Sequence, residues 1–327
     1  MSRPEEPGAA GLPPPAPARA GARPAAVQEL ARVFAIKRVG AYHALSLVSP
    51  AIAKLARPGQ FVEVRTGHPS SFMLRRPFSI HSIQRGGPGV GSVEIAFEVV
   101  GPGTAQLAEV RPHDQVDLVG PLGVPFGLPE KSANCLLVGG GYGTAPLFFL
   151  AEELRARRCR VDFVVGAATE GRLFKAMDAK RLAQTLAITT DDGSAGTRGL
   201  VTDVLLDVLA RTRAERVYAC GPMPMLAVVS RVAAATRVPC EVAVEERMAC
   251  GTGLCWSCVI PVYPPAAEQA RGAAGRRFDP SARTPTRMAR TCVDGPVFDG
   301  DAVAWRELGY EAVRVHEGGQ LAMELLP

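Results

Sequence analysis

Four cysteines in the last third of the chain have the types and spacing of metal ligands. Cys250, Cys255 and Cys258 read C-x4-C-x2-C, and Cys292 follows after 33 intervening residues. A two-iron cluster needs four thiolates arriving from two directions. One short loop plus one distant turn supplies them in this arrangement, which is the plant-type [2Fe–2S] spacing. Gly251 and Gly253 suit a loop that wraps closely around sulfur with its N–H groups turned inward. Structural zinc is the competing use of four cysteines. It usually takes two C-x2-C-like pairs, whereas the grouping here is three plus one with no His nearby. The spacing points to single-electron transfer.

Other residues suited to ligand chemistry lie upstream. The apolar run Cys135–Val138 ends in Gly139-Gly140-Gly141-Tyr142-Gly143-Thr144. Glycines at a strand end let backbone approach a pyrophosphate, and the helix that follows offers free N–H groups. A plain tight turn would read the same, since the run is not G-x-G-x-x-G. A second apolar run ends in Cys220-Gly221-Pro222. If both strands lie in one parallel sheet, both ends face one crevice, where a nicotinamide nucleotide would lie. Earlier, Arg75-Arg76-Pro77-Phe78-Ser79 opens a strand-like run. One arginine fork suits a phosphate, and Ser79 could hydrogen-bond a flat heterocycle beside Phe78. Gly101-Pro102-Gly103-Thr104, before a short helical stretch, is a second candidate phosphate cradle. Each of these alone reads equally well as a strand opening or a turn.

The elements that must position these groups fall into two regions. Residues 28–128 carry alternating or β-branched runs at 31–37, 43–49, 60–65, 77–83, 92–100 and 115–119, separated by Gly/Pro turns. This predicts a β-barrel or sandwich, with one short helix over 104–109. From about residue 132, apolar runs alternate with helical patterns: CLLVGG, VDFVVGA, LAITTDD and RVYAC against YGTAPLFFLAEELRAR, LVTDVLLDVLA and PMLAVVSRVAAA. That alternation predicts a doubly wound parallel sheet, closed by CEVAVE at 240–245.

Composition bounds the rest. The chain has 47% hydrophobic and 21% charged residues and a net charge of +5, ordinary for a globular protein. No apolar run reaches the roughly 18 residues of a membrane span, and the start has no apolar core of a secretory signal. Residues 1–26 are Pro/Ala/Gly-rich and are expected to be disordered. The four remaining cysteines fit buried thiols in a reducing cytoplasm better than a disulfide framework. Between Cys258 and Cys292, Arg271, Arg276, Arg277, Arg283, Arg287 and Arg290 face only Glu268 and Asp279. That excess lacks the size and the interleaved aromatics of a nucleic-acid footprint. It reads as a solvated loop over 261–287, or as a docking patch beside the cluster. The expected division is 27–130, 131–245 and 246–306, with a tail over 307–327.

Taken together, Arg76-Pro77-Phe78-Ser79, Gly103-Thr104, Gly120-Pro121-Leu122-Gly123, the glycine run and Cys220-Gly221-Pro222 occur in the order of the ferredoxin–NADP reductase superfamily. With the cysteine set, residues 28–306 closely resemble the electron-transfer subunits of dihydroorotate dehydrogenase B. The segment from Cys250 to Cys258, with Thr291 to Phe298 behind it, is the most specific part.

The resemblance implies an FAD-binding β-barrel, a nicotinamide-nucleotide α/β domain and a small [2Fe–2S] module. It implies flavin contacts from Arg76, Pro77, Phe78, Ser79, Phe97, Glu98 and Val99, with Gly103 and Thr104 on the flavin pyrophosphate. Gly139, Gly140, Gly141, Gly143, Thr144, Cys220, Gly221 and Pro222 would serve NAD(H), the electron-accepting co-substrate. Cys250, Cys255, Cys258 and Cys292 would ligate the cluster.

Electrons would come from a separate FMN-containing dihydroorotate dehydrogenase catalytic subunit, in a cytoplasmic heterotetramer of two copies of each, within de novo UMP synthesis. No residue of this chain is expected to oxidise dihydroorotate. The same motifs would serve a reductase subunit of a hydrogenase, a sulfite reductase or a ferredoxin-linked transhydrogenase. A redox-sensing module without catalysis is a third use of a cluster, and an intact flavin site argues against it. The Pro/Ala-rich N-terminus and the long Arg-rich gap between the third and fourth cysteines depart from the resemblance.

Overall fold

The computed structural model describes residues 26–66, 73–86, 91–264 and 286–310, and the backbone of 312–315 and 321–324. Residues 1–25 of the extension expected to be disordered, and 265–285 of the Arg-rich loop, lie outside the described residues.

The first half closes into a barrel of antiparallel strands in the order β1 (Val27–Val39), β2 (Tyr42–Val48), β5 (Ser92–Phe97), β4 (Arg76–Gln84), β3 (Phe61–Val64) and β6 (Gln115–Leu122). Alternation fills it: Val62, Val64, Ile80, Ile95 and Leu118 are wholly buried inside, while their neighbours along each strand face out. Helices α1 (Pro50–Leu55) and α2 (Pro102–Ala108) are short turns between strands.

The second half is a sheet in the order β10 (Thr197–Arg198), β9 (Leu186–Thr190), β8 (Arg160–Ala167), β7 (Asn134–Gly140), β11 (Arg216–Cys220), β12 (Cys240–Ala243) and β15 (Val297–Asp299). All pairings are parallel except β12–β15. β7 is apolar and buried along its middle because helices cover both faces. The helices are α3 (Ala145–Ala156), α4 (Ala176–Leu182), α5 (Val201–Thr212) and α6 (Met223–Ala235). In α5 the buried residues Val201, Leu205, Val208 and Leu209 form one stripe at helical spacing. The chain runs outward from β7 to β10, then returns to β11 and continues to β12. The strand order therefore reverses between β7 and β11, the place where such sheets bind ligands.

The cysteine module adds a hairpin of β13 (Val259–Val262) and β14 (Arg287–Arg290) and sends β15 into the edge of the nucleotide sheet. Beyond it, β16 (Ala312–Val315) and β17 (Leu321–Glu324) pair with each other within the stretch expected to be a tail.

Candidate functional site

The loop from Cys250 to Cys258 owes its shape to three left-handed residues, Gly251 (φ 65°), Gly253 (φ 85°) and Trp256 (φ 57°). The four thiols fall into two pairs. Cys250 and Cys255 hydrogen-bond each other, as do Cys258 and Cys292, and the charge of Cys250 is felt at Cys292. Among the described residues, no three His, Cys, Asp or Glu side chains crowd around one point as a single metal ion requires. Two pairs suit a cluster with one pair to each iron. Burial acts to raise the Cys250 thiol. Backbone N–H groups of Cys255 and Thr252, with the Thr252 hydroxyl and the Cys255 thiol, outweigh it and bring the thiol down to about 6. Donors aimed at sulfur are what a ligating thiolate needs. Cys292 is pushed up to about 12 by burial and by Cys258, a proton that binding metal would displace.

The module sits on the outer face of the barrel. Phe61 and Leu122 pack with Cys258 and Cys292 in one small apolar cluster. In β3, Val62 and Val64 fill the barrel, so Phe61 and Glu63 point outward to the cysteines. Phe61 stands opposite Ser79 of β4, and Glu63 opposite Pro77. Phe78 and Ile80 turn into the barrel, which leaves Pro77 and Ser79 on the same outer face as Phe61 and Glu63. The cysteine face and the expected flavin face are therefore one strand apart, about 5 Å.

At the flavin end the two arginines separate. Arg75 donates to the Asp117 carbonyl at 2.9 Å and to its carboxylate at 2.5 Å. Arg76 instead arches over the first turn of α2, where a Cβ on Gly103 would lie 3.5 Å from its Nε and 3.1 Å from Thr66 Oγ1. Thr66 Oγ1 is buried without a hydrogen-bond partner, so a guanidinium, a lone hydroxyl and a bare glycine backbone share one cradle, which fits a phosphate.

Two expected flavin contacts are placed otherwise. The Thr104 hydroxyl accepts the N–H groups of Val100 and Gly101 and donates to the Gly101 carbonyl. It shapes the turn and is not turned to a ligand. Phe97 is buried in the barrel core, its ring 5.3 Å from that of His43 and 5.6 Å from that of Phe78. Val99 is exposed beyond the end of β5.

The nucleotide cleft opens at the strand-order reversal, with a volume of ≈ 490 Å³. Its two glycine loops interlock. A Cβ on Gly143 would lie 2.6 Å from Gly221 Cα, and one on Gly140 2.9 Å from Pro222. Gly139 is covered by Thr144, whose hydroxyl donates to the Gly141 carbonyl. Gly141 (φ 58°) meets nothing within 4 Å and faces the cleft. So Gly140, Gly141 and Pro222 line the cleft, while Gly139, Gly143, Thr144, Cys220 and Gly221 build its wall.

The cleft also holds groups that sequence patterns did not single out. Glu245 follows β12 and reaches the buried Cys220 thiol at 3.9 Å. Burial raises the Glu245 carboxyl, and the Glu245 charge together with burial raises the Tyr142 phenol. Thr189, buried with an unpartnered hydroxyl, and Asp191 stand at the C-terminal end of β9. The available signal for Glu245 was an acid directly after an apolar strand that ends on the same sheet edge as the glycine loops.

A strap of the α/β half, Glu170–Lys175, closes the cleft against the barrel. Arg172 pairs with Glu98 at 2.8 Å, and Lys175 with Glu94 at 2.9 Å. The Tyr42 hydroxyl donates to the Arg172 carbonyl. Glu98, expected at the flavin, is thus a partner of the strap and lines the nucleotide cleft. His81 of β4, 3% exposed, lies under the strap. Its Nδ1 is 2.7 Å from the Ala145 carbonyl and its Nε2 2.8 Å from the Lys175 ammonium. A carbonyl only accepts and an ammonium only donates, so Nδ1 carries the proton and the ring is neutral. Burial first, then the Lys175 charge, hold its pKa down to about 4.

Comparison with known proteins agrees with this layout. Residues 245–270 match the model of the iron–sulfur cluster binding domain of dihydroorotate dehydrogenase B. The chain is 34% identical over 282 residues to the dihydroorotate dehydrogenase B (NAD(+)) electron transfer subunit of Desulforamulus reducens, covering 84% of this chain and 100% of that one. It is 38% identical over 258 residues to the subunit of the same name from Geobacillus kaustophilus, covering 78% and 89%. Among solved structures, an NADH-dependent reduced ferredoxin-NADP oxidoreductase described for flavin-based electron bifurcation superposes with a TM-score of 0.69 at 31% identity, over 86% of this chain and 91% of that one. The ferredoxin reductase of carbazole 1,9a-dioxygenase shares the fold, with a TM-score of 0.55 at 23% identity over 65% and 67%.

Proposed function

Because the chain belongs to the family of dihydroorotate dehydrogenase B electron-transfer subunits, we propose that it takes electrons from the FMN of a dihydroorotate dehydrogenase catalytic subunit and delivers them to NAD⁺, in de novo UMP synthesis. Cys250, Cys255, Cys258 and Cys292 would hold a [2Fe–2S] cluster. Arg76, Thr66 and the Gly103 turn would hold the FAD pyrophosphate, with Pro77 and Ser79 under its ring. The cleft of Gly140, Gly141 and Pro222 would take NAD(H). FAD, when bound, exchanges single electrons with a cluster and a hydride with nicotinamide, so it belongs between the two.

The observation that carries this reading is the order of the sites on the fold. The outer face of β3 meets the cysteines, the adjacent face of β4 carries the flavin-site residues, and His81 further along β4 touches the first residue of α3 beside the nucleotide cleft. The residues that would serve one-electron, mixed and two-electron carriers follow one another without a gap. On the far side of the loop Cys255 is exposed, as are its neighbours Leu254 (83% exposed) and Trp256 (54%), and Met288 of β14 (53%) is exposed too. The Arg290 guanidinium lies 4.8 Å over the Trp256 ring. An apolar rim around an exposed ligand suits the docking of the catalytic subunit, and the complex would hold two copies of each subunit.

A second reading rests on the likeness to the bifurcating oxidoreductase: the same relay serving a hydrogenase, sulfite reductase or ferredoxin–NADP type partner. Co-purification of the tagged full chain from its own host, with cofactor analysis and mass spectrometry of the bound protein, tests both. An FMN-containing dihydroorotate oxidase is expected. A different oxidoreductase moves the chain to the second reading. Dihydroorotate oxidation by the chain alone refutes the first.

A further inference from the structure

Glu63 is buried, 1% exposed, and neither of its carboxylate oxygens has a hydrogen-bond partner. Among the described residues it makes no ion pair. Its place is fixed by register: β3 alternates, Val62 and Val64 fill the barrel, and Glu63 must face out beneath the cysteine loop. The loop backbone lies directly on it. A Cβ at Gly251 would come within 2.3 Å of Glu63 Oε1 and 2.6 Å of its Cγ, so the glycine next to Cys250 is required by this carboxylate as well as by its φ. Burial first, then the Cys250 charge, push the Glu63 carboxyl up to about 7, while Arg75 and Arg76, which hydrogen-bond to Asp117 and to the Leu74 carbonyl, act on it the other way from a distance.

A buried carboxyl without a hydrogen-bond partner is costly, and the barrel core filled by Val62 and Val64 of the same strand does not call for one. Its position accounts for it. Glu63 stands between the residue opposite it in the ladder, Pro77 of the flavin strand, and the backbone beside the first cluster ligand. We propose that Glu63 sets the reduction potential of the cluster, as a carboxylate that, when ionised, places a negative charge on its barrel side. A negative charge at short range in a poorly screened setting opposes the arrival of an electron. It thereby holds the cluster potential low and favours onward transfer to the flavin. The Cys255 side of the loop faces outward. The proposal rests on the four cysteines holding the cluster.

The test compares wild type, Glu63→Gln and Glu63→Asp as full-length chain loaded with iron, sulfide and FAD. Iron per chain and the cluster's visible absorbance are measured first, followed by potentiometric titration at pH 9 with electron paramagnetic resonance of the cluster and flavin absorbance read together. The amide is isosteric and removes a buried charge, so the variant is expected to fold and to load iron fully. Its cluster potential should shift positive, with a smaller shift of the flavin, and Glu63→Asp should stay near wild type. A Glu63→Gln cluster of full iron content and unchanged potential overturns the proposal and leaves the cluster reading intact. A flavin shift as large as the cluster shift also overturns it. Wild-type chain that takes up no iron overturns the cluster reading, and this proposal with it.

Discussion

The neutral His81 under the strap makes the union of the two halves sensitive to acid. Its folded pKa lies at about 4 against an ordinary value of 6.5. A depressed folded value means that the unfolded chain binds a proton first. The stability it contributes is therefore present above about pH 6.5 and is lost as pH falls toward 4. Each unit is about 1.4 kcal/mol, so the loss by pH 4 is about 3 kcal/mol. Many carboxylates titrate in the same range, so the wild type alone is not informative. His81→Gln keeps a hydrogen-bonding side chain that does not titrate. Urea unfolding of wild type and variant, both loaded with FAD, at pH 8, 6.5, 5 and 4 isolates the His81 contribution as the difference between them. Wild type should lose about 3 kcal/mol more than the variant over this range, with most of the change below pH 6. Flavin fluorescence should report release of FAD in parallel, because His81 lies two residues beyond Ser79 on β4. A difference that is flat from pH 8 to pH 4 would refute the neutral, buried assignment of His81.

Four further outcomes can be checked. Arg76→Met should weaken FAD binding about 10- to 100-fold, the equivalent of about 1.5–3 kcal/mol for charged hydrogen bonds, measured by fluorescence titration of deflavinated chain; the same change at Arg75 should act mainly on stability. Gly143→Ala drives a methyl group into Gly221 and should cost about 1–3 kcal/mol, seen as weaker NAD(H) binding with FAD content unchanged. Gly251→Ala combines a left-handed φ with contact against Glu63 and should lower iron per chain and the melting temperature together. Leu254→Asp, on the exposed rim, should abolish co-purification of the partner while leaving iron content and NADH-dependent dye reduction at wild-type levels.

Much of this molecule is legible in its sequence where a pattern is long or a spacing is chemical. The α5 pattern is read correctly because a twelve-residue amphipathic stripe has enough turns to show its period. The order of barrel strands before parallel sheet follows from the change of rhythm near residue 132. α2 was legible from its Gly/Pro start, but two other short helices were not. α1 has six residues and α4 seven, too few for a helical period. β1 extends well beyond the expected 31–37 because its first half pairs with β6 and its second with β2, a fact of topology that alternation does not carry. At the sites, residue types were found more readily than their orientation. Thr104 and Phe97 were expected at the flavin, but one hydroxyl is used by its own turn and one ring by the core. Glu63, Arg172 and Glu245 could not be singled out, because each acquires its significance from a neighbour distant in the chain.

The pairing of β15 with β12 has a consequence for how the chain can be divided. The fourth cysteine lies five residues before β15, and β15 is the strand that finishes the nucleotide sheet. Truncation after residue 245 would remove all four of these cysteines and also strip β12 of its neighbour, leaving a raw strand edge open to other chains and prone to aggregate. The nucleotide half and the cysteine half are therefore heritable only as a unit. A recombination event that swaps one without the other would have to repair a sheet before it could rewire an electron path.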